Sequence, residues 1–329
     1  NAMSTTTQEK STIRYVYNLD QLDRVPEGPC SAQVAPSRLL SGDTLATGKS
    51  TTVGPVLSGS HVHVAWVVKP RGTGSKLHTH PNEQFNYVLR GTLLADMDGR
   101  VMRVPAGSVI HIPAGMVHSF VASPEEDVFF IAAKDTRHGI VGPAIDGKHD
   151  GPRTLPGFGS NKNNEWAVGA DGMPVPQSPR VNQENIRYVY RWDELDRVPD
   201  GPCSAKVVPR AHVSKKSSSF GAALTGEKIH VGLIHKARGS GSKLHTHPNE
   251  QFNLVLQGTL HADIDGQTVL VPTHHAIHMP TGVVHSCVAT GDEDVIFFVA
   301  KDTRHGLAGP PIDGIEDGPR YLPGFGPAK

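Results

Sequence analysis

GSKLHTHPNEQFN, residues Gly74–Asn86, recurs letter for letter as Gly241–Asn253. Two imidazoles one residue apart lie on the same side of an extended chain and are placed to grip one cation. The same stretch, met twice, therefore raises a metal-binding reading for both copies. Working outward, RYVYNLDQLDRVPEGPC from Arg14 returns as RYVYRWDELDRVPDGPC from Arg187, AKDTRHG from Ala133 returns from Ala300, and DGPRTLPGFG from Asp150 returns as DGPRYLPGFG from Asp317. A duplication over nearly the whole of 329 residues, a length beyond one growing core, predicts two domains. They are expected at 14–159 and 186–326. The linker between them, 160–185, is rich in Asn, Gly, Pro, Ser and Gln and is expected to build no core.

Inside each copy, short apolar runs are broken by Gly, Pro and Asp-Gly, which predicts an all-β fold. LLADMDGRVMRV from Leu93 alternates about Asp98-Gly99, and HADIDGQTVLV from His261 about Asp265-Gly266. Asp-Gly supplies the positive φ angles of a tight hairpin turn. Many short antiparallel strands suggest two tandem jelly-roll barrels, an architecture that protects strand edges. The helical candidate is NLDQLDRV from Asn18, echoed by RWDELDRV from Arg191.

Lysine plus arginine equals aspartate plus glutamate at 32 each, and no basic stripe is present, so nucleic acid is not expected as a partner. Apolar runs are strand-sized, and the start lacks the layout of a signal peptide, so a cytoplasmic protein without membrane contact is expected. Cys30, Cys203 and Cys287 include no C-x-x-C pair, so buried free thiols are expected, with a symmetric Cys30–Cys203 bridge as the alternative.

A further histidine follows a Pro-x-Gly element in each copy, His118 after Pro113 and Gly115, His285 after Pro280 and Gly282. With these residues on the page the chain resembles a bicupin. Gly72, His78, His80, Gln84 and Gly91 fit the first cupin motif, as do Gly239, His245, His247, Gln251 and Gly258; Gly107, Pro113, Gly115 and His118 fit the second. The second copy has His274 in place of its leading glycine, and Ala122 and Ala289 stand where the motif often ends in asparagine. The resemblance implies one divalent metal per domain, held by His78, His80, Gln84 and His118 and by His245, His247, Gln251 and His285. Glutamate is usual at the fourth place, and Glu83 and Glu250 stand immediately before the glutamines, so they are the alternative ligands. Imidazole and amide donors suit Fe2+, Mn2+, Ni2+, Co2+ or Zn2+ without choosing among them.

Strand alternation adds Lys76 and Lys243 to the histidine face, where a carboxylate of the substrate is one partner and solvent the other. Asn86 and Asn253 are placed to hydrogen-bond a ligand. His111 and His278 are candidates for pocket acid–base work or for structural hydrogen bonds. Phe120 and Cys287 occupy matching positions, which predicts two pockets of different shape. KDTRHG is expected to form a salt-bridged turn between the domains. The functional expectation is a metal-dependent enzyme on a small organic acid or chelating carbonyl compound. A dioxygenase comes first by breadth of resemblance, a lyase or isomerase second, and a non-enzymatic binding protein third. The resemblance also implies a homo-oligomer.

Overall fold

The computed structural model describes residues 12–24, 26–39, 48–196 and 200–328. Its strands form two jelly-roll barrels, each a seven-stranded sheet facing a smaller one. The larger sheet of the first barrel contains Gln84–Arg90 between Ser108–Ile112 and Val128–Asp135, followed by Val62–Lys69, Val53–Ser58 and Gln33–Leu39. Its smaller sheet is Arg100–Pro105, Thr92–Met97 and His118–Ala122. The second barrel repeats this plan, with Gln251–Gln257 at the centre of its larger sheet.

The outermost strand of each larger sheet comes from the opposite half of the sequence. Val16–Asn18 pairs antiparallel with His275–Met279, matching Val16 to Ile277, while Val189–Arg191 pairs with Ser108–Ile112, matching Val189 to Ile110. The exchange is fastened by two tyrosines. Tyr15 is buried in the second barrel and donates its hydroxyl to Asp265 at 2.8 Å; Tyr188 is buried in the first and donates to Asp98 at 3.2 Å. A third core lies between the barrels, where Tyr17, Trp66, Phe85 and Tyr87 meet Tyr190, Trp192, Phe252 and Phe298.

Both Asp-Gly hairpins form, with φ of 52° at Asp98 and 51° at Asp265. His274 also takes a positive φ, 62°, where the first copy has Gly107 at 83°. Its ring is held there by Asp20 Oδ2 at 2.8 Å, a contact that crosses between the halves. The helical candidates contract to single 3-10 turns, Leu19–Gln21 and Trp192–Glu194; Val25 and 197–199 lie outside the described residues. So short a segment does not sustain a helix against the pull of its buried Leu19 and Trp192. The linker also departs from expectation, because Trp166 is fully buried against Leu94, Val121 and Leu155 of the first barrel. Its indole donates to the Val175 carbonyl at 2.7 Å, and the Arg153 guanidinium lies 3.8 Å over its ring. No helix among the described residues is long and apolar enough to cross a membrane, and all three cysteines are free thiols.

Candidate metal centres

The stretch 74–83 is extended but belongs to no long strand; His78 instead makes isolated bridges with His118 and Ala144. This brings His78 and His80 against His118 on the strand His118–Ala122, and the second copy assembles His245, His247 and His285 in the same way. The donor atoms within each triad all lie within 4.8 Å of one another, and all six rings are buried. Every Nδ1 is committed to a backbone carbonyl, His78 to Lys76 at 2.8 Å, His80 to Asn82 at 2.9 Å and His118 to Met116 at 2.8 Å. Lys243, Asn249 and Val283 do the same for the second triad. A proton fixed on Nδ1 leaves the Nε2 lone pair free. The Nε2 atoms of His80, His118, His247 and His285 are buried without any hydrogen-bond partner. Buried polar atoms are rarely left so, and a divalent cation among them resolves the deficit.

Electrostatics agrees. Burial lowers the proton affinity of every triad histidine, holding His80 at about 3, His247 at about 4 and His285 at about 3, with His78, His118 and His245 also far below the usual range. The rings are therefore neutral, the form that ligates metal. Each barrel thus carries a three-histidine site for one divalent ion, and the donor chemistry fits the metals named above.

Glu83 and Glu250 point away from these centres. Glu83 accepts from the backbone N–H groups of Glu227, Lys228 and Ile229, at 2.8, 2.7 and 3.0 Å, and from His111 Nε2 at 2.7 Å. Glu250 accepts from Ser60, His61 and Val62, at 2.8, 2.7 and 2.8 Å, and from His278 Nε2 at 2.9 Å. Each carboxylate is spent on a hairpin of the other barrel. His111 and His278, named above as pocket candidates, sit in that contact, with Nδ1 on Ser204 and Ser31 at 2.9 Å each, and neither lines the cavity of a triad. Their partners lie in the opposite copy, which local sequence does not reveal.

Gln84 and Gln251 do line the cavities, with their amide nitrogens given to Asn86 Oδ1 at 2.6 Å and Asn253 Oδ1 at 2.7 Å. Lys76 and Lys243 do not join the histidine wall. Lys76 Nζ is 2.6 Å from both Asp146 and Asp150, and Lys243 is 2.6 Å from Asp313 and 2.7 Å from Asp317, so each ties down the segment that follows its barrel. Alternation failed here because the chain is irregular between Gly74 and Glu83. In KDTRHG, Asp135 and Asp302 hold Arg137 and Arg304 through paired contacts of 2.9–3.0 Å, and Arg137 reaches Glu227 across the barrels at 3.7 Å.

Three lysines face each triad's cavity: Lys49, Lys69 and Lys134 in the first barrel, Lys216, Lys236 and Lys301 in the second; of these only Lys134 and Lys301 belong to a motif marked in the sequence, KDTRHG, expected above as a turn between the domains and not as cavity wall. The three of each set come from separate strands and loops, so only the folded chain gathers them. Among the described residues neither cavity has an Asp or Glu in its wall. Burial, reinforced by Lys49, brings Lys69 and Lys134 down to about 7; burial alone brings Lys49 and, against Cys287, Lys236 to about 8. Burial together with Lys236 puts Lys216 at about 8, and burial together with Lys216 puts Lys301 at about 7. The cavities also differ in size, the one with Phe120 in its wall being smaller than the one with Cys287 at the matching place.

Two segments, 64–134 and 232–301, match the cupin domain model. No curated protein matches the chain by sequence. Among solved structures, a serine-to-alanine variant of oxalate decarboxylase from Bacillus subtilis is similar over 90% of this chain and 78% of its own, at 17% identity and a TM-score of 0.54. A tryptophan-to-tyrosine variant of the same enzyme gives 14%, 0.56 and the same coverage. A third structure, from work on the Mn(II) centres of that decarboxylase, gives 16% and 0.55 over 91% of this chain and 79% of its own. At such identities the likeness is one of fold. Since each matched segment contains a complete histidine triad within the barrel that holds it, the chain belongs to the cupin superfamily and is a bicupin.

Proposed function

We propose that the protein is a metal-dependent enzyme of the lyase or isomerase class that acts on a small organic anion by proton transfer, without consuming dioxygen. The observation that carries this reading is the charge of the cavity walls, three lysines around each triad and, among the described residues, no carboxylate. Gln84 and Gln251 serve as the fourth ligands in this reading, because the neighbouring glutamates are spent on the other barrel and each glutamine's oxygen is left free by its bond to asparagine. A neutral donor set leaves a bound divalent ion its full charge, and the ion supplies Lewis-acid polarisation of a carbonyl or carboxylate oxygen.

The chain's own groups do the rest. Lys134 pairs in register with Gln84, and Lys301 with Gln251, so one amine stands beside each ligand set. The Ile140 and Leu307 carbonyls hold these amines at 2.5 and 2.8 Å. A lysine kept near neutrality by burial takes a proton from, or returns one to, a carbon next to the polarised group. The apolar remainder of the wall, including Phe130 and Ala132 or Phe297 and Val299, keeps water from competing.

This reading displaces the dioxygenase ranked first from resemblance, because the walls are furnished for acid–base work. The decisive test is to load the protein with Mn2+, Ni2+, Co2+, Zn2+ or Fe2+ in turn and incubate it with small organic acids in anaerobic D2O. Deuterium uptake or elimination followed by NMR, lost in His78→Ala and His245→Ala together, supports the proposal. Turnover only with Fe2+ and dioxygen refutes it.

A further inference from the structure

We propose that each cavity holds a second, anion-binding subsite apart from the histidine triad, which seats the far carboxylate of a ditopic substrate. It is built from Lys49, Ser50, Thr52 and Lys69 in the first barrel and Lys216, Ser217, Ser219 and Lys236 in the second. The inference rests on the reading that these cavities receive organic anions, and it narrows that class to molecules with a carboxylate at one end and a metal-binding oxygen group at the other.

The sequence KSTT, Lys49–Thr52, and its counterpart KSSS, Lys216–Ser219, run beside the start of the histidine stretch. Lys76 N–H bonds the Lys49 carbonyl at 2.8 Å, and Lys243 N–H bonds that of Lys216 at 3.0 Å. Ser50 and Thr52 face inward, and Lys69, only 3% exposed, donates to both hydroxyls, at 3.2 Å to Ser50. The hydroxyls bond each other at 2.9 Å. In the second barrel Lys236 donates to Ser217 at 3.2 Å, and Ser217 to Ser219 at 2.9 Å. An ammonium has three protons to give, so Lys69 keeps one and Lys236 two. Hydroxyl partners supply no negative charge. Lys216, 4% exposed in the cavity wall, has no side-chain hydrogen bond or ion pair among the described residues; Glu316 acts on it only from a distance.

Amines buried as Lys69, Lys216 and Lys236 are, with no carboxylate in the cavity wall among the described residues, are costly to keep charged, and a fold that repeats such a cluster in both copies has a place for an anion. That place is separate from the metal ligands. On the inward face of Val62–Lys69, His63 pairs with Lys134, the partner of Gln84, whereas Lys69 pairs with Val128 at the opposite end. The run from His63 to Lys69 spans roughly 20 Å of strand. Lys49 lines the same cavity, and its carbonyl holds the Lys76 N–H, two residues before His78.

Titration calorimetry on the full chain, loaded with Mn2+, tests this with acetate, succinate and glutarate as probes. One of the dicarboxylates should bind at least about tenfold more tightly than acetate, since it engages both ends of the cavity. Binding at pH 8 should take up protons, read from buffers of different ionisation heat, as the lysines recharge. Lys69→Met with Lys236→Met should remove both the preference and the proton uptake while metal content stays unchanged. Lys49→Met with Lys216→Met provides a second variant should the first pair disturb folding. An unaltered preference in the folded variants overturns the subsite. Acetate binding with no advantage for either dicarboxylate overturns it too, leaving the metal-and-anion reading intact. If the loaded protein binds none of the three, that reading fails as well.

Discussion

Replacing Glu83 by alanine would strip four donors of their acceptor at once: three backbone N–H groups of the 227–229 turn and the imidazole of His111. The carboxylate is 2% exposed, so water does not easily take its place. Hydrogen bonds to a charged acceptor contribute about 1.5–3 kcal/mol each when counted singly, but loss of one partner from a buried pair costs about 3–5 kcal/mol in total, because the site relaxes. We expect about 4 kcal/mol, which corresponds to a fall of about 6 °C in melting temperature for a protein of this size. Glu250→Ala should cost a similar amount, since Glu250 has the same four kinds of donor. Adding His111→Ala to Glu83→Ala should cost much less than the sum, because the ring would already have lost its partner. The assay is calorimetric unfolding together with metal analysis by mass spectrometry below the transition. A melting temperature within about 2 °C of wild type would refute the energetic argument. Loss of one metal per chain from folded Glu83→Ala would refute the placement of this carboxylate at the interface. Burial alone would raise the Glu83 pKa, but His111 and the backbone donors outweigh it and leave the group below its usual 4.5. Its contribution is therefore complete above about 4.5 and lost as pH falls through the lower folded value. Glu83→Gln should flatten the stability curve in that acid window.

Phe120→Cys should widen the first cavity and Cys287→Phe should narrow the second, so the pair should exchange the size preference of the two sites; equilibrium binding of a homologous acid series measures it. The neutral triads predict that Zn2+ binding at pH 6 releases almost no protons, seen as a heat independent of buffer. In the metal-free protein, stability should fall as pH drops from about 6.5 towards the folded values near 3 to 4, because only the unfolded chain takes up protons in that window. Trp166→Ala should destabilise the protein by about 3–5 kcal/mol, the usual cost of emptying a buried indole site, read as a lower melting temperature in calorimetry.

The barrels and the triads were legible because their signals are local. The histidines sit in one short stretch plus one later position, and the hairpins carry Asp-Gly. What stayed hidden depends on partners far away in sequence. Glu83 and Gln84 differ in role because their side chains leave opposite sides of the strand, and only the presence of the 227–229 turn on one side tells them apart. Lys76 looked inward by alternation, yet the chain there is not a regular strand and the side chain reaches Asp146 and Asp150. The cavity lysines come from positions 49, 69 and 134, a set that no local pattern connects. Trp166 was lost in a linker whose composition argued against a core.

The reciprocal loan of Val16–Asn18 and Val189–Arg191 has a bearing on how such a chain arises. Before the gene was doubled, a single copy would have completed its sheet with the leading strand of a twin, so the present chain has the organisation of an ancestral dimer whose two subunits were later sewn into one polypeptide. The seam at 160–185 then fixes stoichiometry rather than adhesion, and a protease cutting there would leave the two halves bound to each other. Once both copies were translated together, each was free to change as long as the other still supplied its missing edge. That arrangement lets Phe120 and Cys287 diverge inside the barrels while the exchanged RYVY segments stay alike.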